Sequence, residues 1–218
     1  WSSLDTWETC PRMYEWKYVL KNWGPETEQQ KWGNTVHSAL EGRCVFNEPL
    51  PEALTSLEKY GQIADSARAA GLLVIGEQDW AIDRNFKPCG SREWDVVYCR
   101  LKVDLGIIAP KRAIFIDWKT GKPKEGSDQL ALGAAIGFIQ YPHLEEIETK
   151  FIWTINGQQT PSVYKRENSH NFWASFLPRV NAMEKAWTLK QFPPTPNYLC
   201  RAHCDVKTCE HNGKAFRR

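Results

Sequence analysis

No apolar run in the 218-residue chain approaches the roughly 18 residues that a membrane-spanning helix requires. The N-terminal stretch also lacks the charged, apolar and small-residue regions of a signal peptide. A soluble, cytoplasmic protein with no membrane partner is the expectation. Internal repeats and low-complexity segments are missing too, which argues against a solenoid or a linker and for one substantial packed domain. A marked excess of charge of one sign is lacking: 28 basic against 26 acidic side chains leave a formal balance of +2. That neither requires nor excludes nucleic acid, because a local groove can be basic on a nearly neutral molecule. An even cysteine count is lacking as well, since seven thiols leave one unpaired in any full disulfide scheme. Cys44, Cys89 and Cys99 are scattered, whereas Cys200, Cys204 and Cys209 crowd into "CRAHCDVKTCEHNG" and Cys10 stands alone in "ETCPRMYEW". Such crowding fits a metal or cluster site better than a secreted disulfide framework.

Regular structure is legible from periodicity. Ser2 and Ser3 can cap a helix through about Cys10, and Pro11 suits the first turn of a second, "PRMYEWKYVLKNW". "KWGNTVHSALEGRCVF" and "PEALTSLEKYGQIADSARAAG" read as two more helices, the latter ended by Gly71. The period then changes to that of strands in "LLVIGEQDWAID", "WDVVYCRLKVDLGIIA" and "RAIFIDWK", expected to form mostly a meander. "SDQLALGAAIGFIQY" predicts a helix with Ser127 as N-cap. "ETKFIWTING" and "QTPSVYKRE" predict strands paired across Asn156-Gly157. A last helix, residues 169–192, carries Pro178 as a kink or break before "PPTPN" and the cysteine tail. The fold class is α/β: a mixed central sheet flanked by helices, with N-terminal helices and a Cys-rich C-terminal tail.

Within "KVDLGIIAPKRAIFIDWKTGK" two apolar runs each carry an Asp, and the second adds a Lys. Strand alternation puts Asp117 and Lys119 on one face, and a turn at "APKR" lets Asp104 reach that face from the preceding strand. Two buried, unpaired carboxylates would cost several kcal/mol through desolvation and repulsion, on the scale of a broken buried ion pair. A hard divalent cation removes that penalty, and Mg²⁺ takes one or two carboxylates plus water and substrate phosphate. Lys119 would then orient water and neutralise charge at an attacked phosphodiester. The bland account makes Asp104 and Asp117 strand-end acids on a solvated face with Lys119 as a surface partner.

These residues resemble the PD-(D/E)xK nuclease superfamily, and specifically its RecB-like exonuclease branch, which includes CRISPR-associated RecB-like exonucleases and many phage nucleases. The resemblance runs over nearly the whole chain. "SSLDTWETCPRMYEWKYV" is similar to the opening helical motif, "WGNTVHSALE" to the Gly-x-x-x-His motif, and "VDLG" and "FIDWKTG" to the acid and acid-x-Lys motifs. "DQLALGA" is similar to the following Gln motif and "CRAHCDVKTCEHNGK" to the C-terminal cysteine cluster. The resemblance implies a restriction-endonuclease-like core and a Mg²⁺- or Mn²⁺-dependent deoxyribonuclease acting on DNA ends, single-stranded or duplex. The setting would be bacterial or phage recombination, repair or replication, with an unnamed recombination or helicase partner. It further implies Asp104, Asp117 and His37 as metal ligands, Lys119 as the catalytic lysine and Gln129 as a residue at the scissile region. A lone helical His is otherwise more often a satisfied structural residue. Glu77 resembles an acid found ahead of the first catalytic strand, though an edge-strand Glu is ordinary. Gly133 stands where the family often has Tyr.

The same resemblance implies that Cys10, Cys200, Cys204 and Cys209 bind a [4Fe–4S] cluster, four thiolates being its normal ligand set. Residues 1–24 and 195–218 would form this cluster-binding appendage of a single domain. His203 keeps open a tetrahedral Zn²⁺ site. A non-catalytic nucleic-acid-binding protein with structural zinc is the competing function. Eleven tryptophans are explained by core packing, or in part by stacking on unpaired bases beside Lys or Arg, as in "WKYVLKNW" and "DWKTGKPK" with Lys122 and Lys124.

Overall fold

The structure, a computed structural model, describes residues 2–123 and 128–213. The expected Ser127 cap and Lys124 lie outside the described residues. The chain divides into two compact units, one of residues 27–173 and one of residues 1–26 with 174–218.

The larger unit is built on a six-stranded sheet of order β2-β1-β3-β4-β5-β6. Its strands are β1 (Leu73–Ile82), β2 (Pro88–Cys89), β3 (Cys99–Ile108), β4 (Arg112–Lys119), β5 (Glu146–Trp153) and β6 (Gln158–Lys165). All pairs are antiparallel except β4 with β5, which run parallel. The strands expected to form a meander, β1, β3 and β4, are successive antiparallel neighbours with the short β2 on the β1 edge, and the parallel β4–β5 pair makes the sheet mixed. A parallel neighbour needs a crossover, and the helix α5 (Asp128–Gln140) supplies it. In α5 the two internal glycines lie in the buried run of the helix. A Cβ on Gly137 would stand 2.3 Å from the Phe115 ring, so the bare backbone is what lets α5 approach β4.

The opposite face is covered by α3 (Glu28–Phe46) and α4 (Glu58–Ala69), the latter preceded by a 3₁₀ segment, Glu52–Leu57. Thr27 opens α3 with a capping box to Gln30, and Asn47 closes it in the left-handed conformation. Val36, Leu40 and Cys44 from α3 and Tyr60 and Ala64 from α4 pack on Leu105, Ile116, Trp118 and Ile152 of the sheet. Each fully buried aliphatic side chain there contributes roughly 1.5–3 kcal/mol. This core fixes α3 against β3 and β4, and so fixes where His37 points.

The smaller unit holds α1 (Ser2–Thr9), α2 (Pro11–Tyr14) and most of α6 (Ser169–Leu189), whose first residues belong to the larger unit. The second helix is shorter than its apolar pattern suggests. After Tyr14 the chain winds into a π turn, Glu15–Val19, and Lys21 then adopts φ 56, a left-handed residue that ends the run before Trp23. Pro178 neither breaks nor ends α6, which continues to Leu189. Trp7 and Tyr14 pack their rings around Phe192, with the exposed Trp187 at the edge of the cluster.

Candidate active site

The β3–β4 ladder pairs Leu105 with Ile116 through Ile108 with Ala113 and then stops. Beyond that point β3 continues only beside β1, and β4 only beside β5. The sheet forks, and one further step of the same register sets Asp104 opposite Asp117. At the fork the Trp118 amide donates to the Asp104 carboxylate at 2.8 Å instead of to a strand carbonyl. The Trp118 carbonyl accepts from His37 Nε2 at 2.9 Å. The backbone of one residue, Trp118, thus ties together an α3 histidine and a β3 aspartate.

This geometry fixes the imidazole. A carbonyl can only accept, so Nε2 carries the proton, and neutral His37 presents the bare Nδ1 lone pair to Asp104 Oδ2 at 3.3 Å. Two acceptors facing each other need a proton or a cation between them. Burial alone would lower the His37 pKa, but the hydrogen bond and charge of Asp104 outweigh it and raise the value above 6.5.

Glu77 completes the group. One ligand atom from each of His37, Glu77 and Asp104 lies within 4.8 Å of the others. In β1 the pairs Gly76 with Leu105 and Gln78 with Val103 flank it, so Glu77 stands opposite Asp104. Its φ of 48 is left-handed, costly for a residue with a side chain and the kind of strain held at functional sites. The Lys102 ammonium pairs with the Glu77 carboxylate. Glu77 was the least legible member from sequence: only the β1–β3 register brings it to Asp104.

Asp117 sits one step aside. Lys119 Nζ is 2.7 Å from its Oδ1, and Gln129 Nε2 donates to its Oδ2 at 2.5 Å. Lys119 also donates to Gln129 Oε1 at 3.4 Å and lies 4.7 Å from the Phe151 ring centroid. Lys119 and Gln129 therefore hold Asp117 and each other. Burial pushes the Asp117 carboxyl up to about 6, with Lys119 opposing and Asp104 adding to the rise. The close group thus holds His37, Glu77 and Asp104, and Asp117, expected beside His37 and Asp104, adjoins that group. Gly133 is buried, near Leu101 and Thr149, so that position faces the interior. Lys122 is exposed.

In the smaller unit the Cys10 and Cys200 sulfurs accept from the amides of Thr195 and Asn197, each at 3.4 Å. Burial raises the Cys204 pKa, and charge at Cys200, Cys10 and Cys209 raises it further, so the four thiols are electrostatic neighbours. All four are free of disulfides. Among the described residues no three cysteine or histidine ligand atoms here come within 4.8 Å of one another.

The fork thus gathers paired acids, an adjoining lysine and a helical histidine. Residues 1–209 match the model of the PD-(D/E)XK nuclease superfamily, and the chain belongs to that superfamily. No curated protein matches the chain. Among solved structures, the crystal structure of SSO0001 is similar at 12% identity and a TM-score of 0.49, over 96% of this chain and 85% of that one.

Proposed function

We propose that the protein is a divalent-metal-dependent DNA exonuclease of the RecB-like kind, with His37, Glu77, Asp104 and Asp117 as the metal-binding set. The single observation that carries this reading is the meeting of the His37 Nδ1 lone pair with the Glu77 and Asp104 carboxylates, beside Lys119. Two carboxylates and an imidazole suit Mg²⁺ or Mn²⁺ where room remains for water and phosphate oxygens. A bound divalent cation supplies positive charge to the scissile phosphate and acidifies water beside it.

The chain's own groups do the rest. Asp104 is anchored by the Trp118 amide, so its carboxylate keeps one orientation. Lys119, held by Asp117, Gln129 and Phe151, offers an ammonium that orients the attacking water and offsets charge building on the phosphate. Gln129 positions the Asp117–Lys119 pair. In the smaller unit we assign Cys10, Cys200, Cys204 and Cys209 to a [4Fe–4S] cluster. The Cys204 thiol feels the charge of Cys200, Cys10 and Cys209, which supports one shared centre for the four, and four thiolates are the normal ligand set of such a cluster.

The exonuclease character is tested with end-labelled linear single- and double-stranded DNA against a covalently closed single-stranded circle, in Mg²⁺ and in Mn²⁺. The expected result is metal-dependent release from linear ends with the circle spared. Cutting of the circle at the linear rate would make the protein an endonuclease.

A further inference from the structure

Asp104 is the inner end of a row along β3. Arg100, Lys102 and Asp104 occupy alternate positions and share one face of the strand. Arg100 and Lys102 are exposed, whereas the intervening Leu101 and Val103 are buried and Asp104 is only 8% exposed. The row runs from solvent inward and ends at the candidate metal site. At its outer end stands Trp94, in the loop between β2 and β3, 68% exposed. The Arg100 guanidinium lies 4.6 Å from the Trp94 ring centroid.

That ring is not left exposed by a slack loop. The Val96 and Val97 amides both donate to the Glu93 carbonyl, at 2.8 and 2.9 Å. The Glu93 side chain in turn accepts from the Gly90 amide at 3.3 Å. The turn carrying Trp94 is hydrogen-bonded on both sides, and a cation over one ring face holds the indole while the rest stays open. A buried hydrophobic role does not explain a tryptophan so exposed, and a lone surface salt bridge does not explain an arginine stacked on it.

We infer that Trp94 and Arg100 form a stacking platform for an unpaired base of the DNA substrate, with Lys102 meeting the backbone between platform and cleavage site. The inference rests on the nuclease reading for its substrate. Charge argues for DNA as the occupant: two cations precede the acidic site along one strand face, which suits a polyanion entering it. Base stacking on an aromatic ring is tolerant of sequence and strengthened by a neighbouring Arg. Geometry sets the reach. Asp104 lies four residue steps along β3 from Arg100, about 13 Å of strand. That span equals about four nucleotides stacked as in duplex DNA, and fewer when the strand is extended. Lys102 pairs with Glu77 in the free protein, so it is placed to exchange that carboxylate for a phosphate when a cation occupies the acids.

The test separates platform from chemistry. Binding of fluorescein-labelled dT20 is measured by anisotropy in EDTA, where no cleavage occurs, for wild type, Trp94→Ala, Trp94→Phe and Arg100→Gln. Trp94→Ala should weaken binding about tenfold or more, and Trp94→Phe about threefold at most, since it keeps a ring. Arg100→Gln should also flatten the dependence of log affinity on log salt by about one. Cleavage is then compared on dT20 and on thymidine 5′-(4-nitrophenyl phosphate), which is too short to reach the platform. Trp94→Ala should raise KM on dT20 and leave the ester rate within about twofold. Unchanged dT20 binding in Trp94→Ala would overturn the inference, as would equal losses on both substrates. A wild-type protein that cleaves neither substrate speaks against the nuclease reading alone, and the anisotropy series still decides the platform.

Discussion

Replacing Asp117 with Asn should make the metal-free protein more stable at alkaline pH while abolishing its chemistry. The Asp117 carboxyl is pushed up to about 6 from its ordinary 3.8, chiefly by burial, even with Lys119 only 2.7 Å away. The folded state therefore binds this proton more tightly than the unfolded state does. Stability from this group is fully present below 3.8 and is lost as pH rises through about 6, the reverse of an ordinary salt-bridged aspartate. A gap of about two pH units, at about 1.4 kcal/mol each, makes the ionised carboxylate cost up to about 3 kcal/mol above pH 7. Asparagine keeps the shape and resembles the protonated acid. In EDTA, urea or thermal unfolding at pH 8 should show Asp117→Asn more stable by up to about 3 kcal/mol, or roughly 6–12 °C in Tm for a chain of this size. At pH 4 the gap should nearly close. Saturating Mg²⁺ should narrow it at pH 8, because a cation at 100 times its Kd returns about 2.7 kcal/mol to the wild type. An Asp117→Asn variant no more stable than wild type at pH 8 would refute the view of this carboxylate as a strained, metal-awaiting group.

His37 has the same sign of pH dependence. Its raised pKa means that its contribution to the metal-free fold is fully present below 6.5 and fades as pH rises through the folded value. His37→Gln in EDTA should therefore lose stability near pH 5.5 and little at pH 9, whereas in Mg²⁺ it should raise the metal concentration needed for half activity. Equal losses at both pH values would return His37 to a packing role. For the cysteines, anaerobically purified protein should be brown and contain iron and sulfide. Serine at Cys10, Cys200, Cys204 or Cys209 should bleach it and destabilise the fold more than it slows residual cleavage; a colourless protein with stoichiometric zinc would reverse the assignment.

Much of this site could be read from one dimension because it depends on strand alternation. Asp117 and Lys119 share a face at a spacing of two, and the hairpin at "APKR" carries Asp104 to the same fork. His37 needed the resemblance, since nothing in an amphipathic helix distinguishes a ligand from a packed histidine. Glu77 was the hardest, because its role depends on the register of β1 against β3 and on a left-handed backbone that no local pattern announces. Trp94 was not singled out for a similar reason: the sequence does not say which of the eleven tryptophans are exposed, and Trp94, at 68%, is one of several that are. The parallel pairing of β5 with β4 was not legible because periodicity defines strands but not their partners, and the buried glycine helix α5 made that crossover possible. Pro178 failed as a breaker because α6 runs through it to Leu189.

The central claim is that a cation held at the fork and the ammonium of Lys119 act together on a phosphodiester. The most direct measurement is release of acid-soluble nucleotides from labelled linear DNA across a Mg²⁺ and Mn²⁺ titration, with wild type, Asp104→Asn and Lys119→Ala in parallel. The account predicts saturable, metal-dependent release by wild type and a loss of at least about a hundredfold in each variant, with folding confirmed by unchanged circular dichroism. Metal-independent release, or wild-type rates in folded Lys119→Ala, would contradict it.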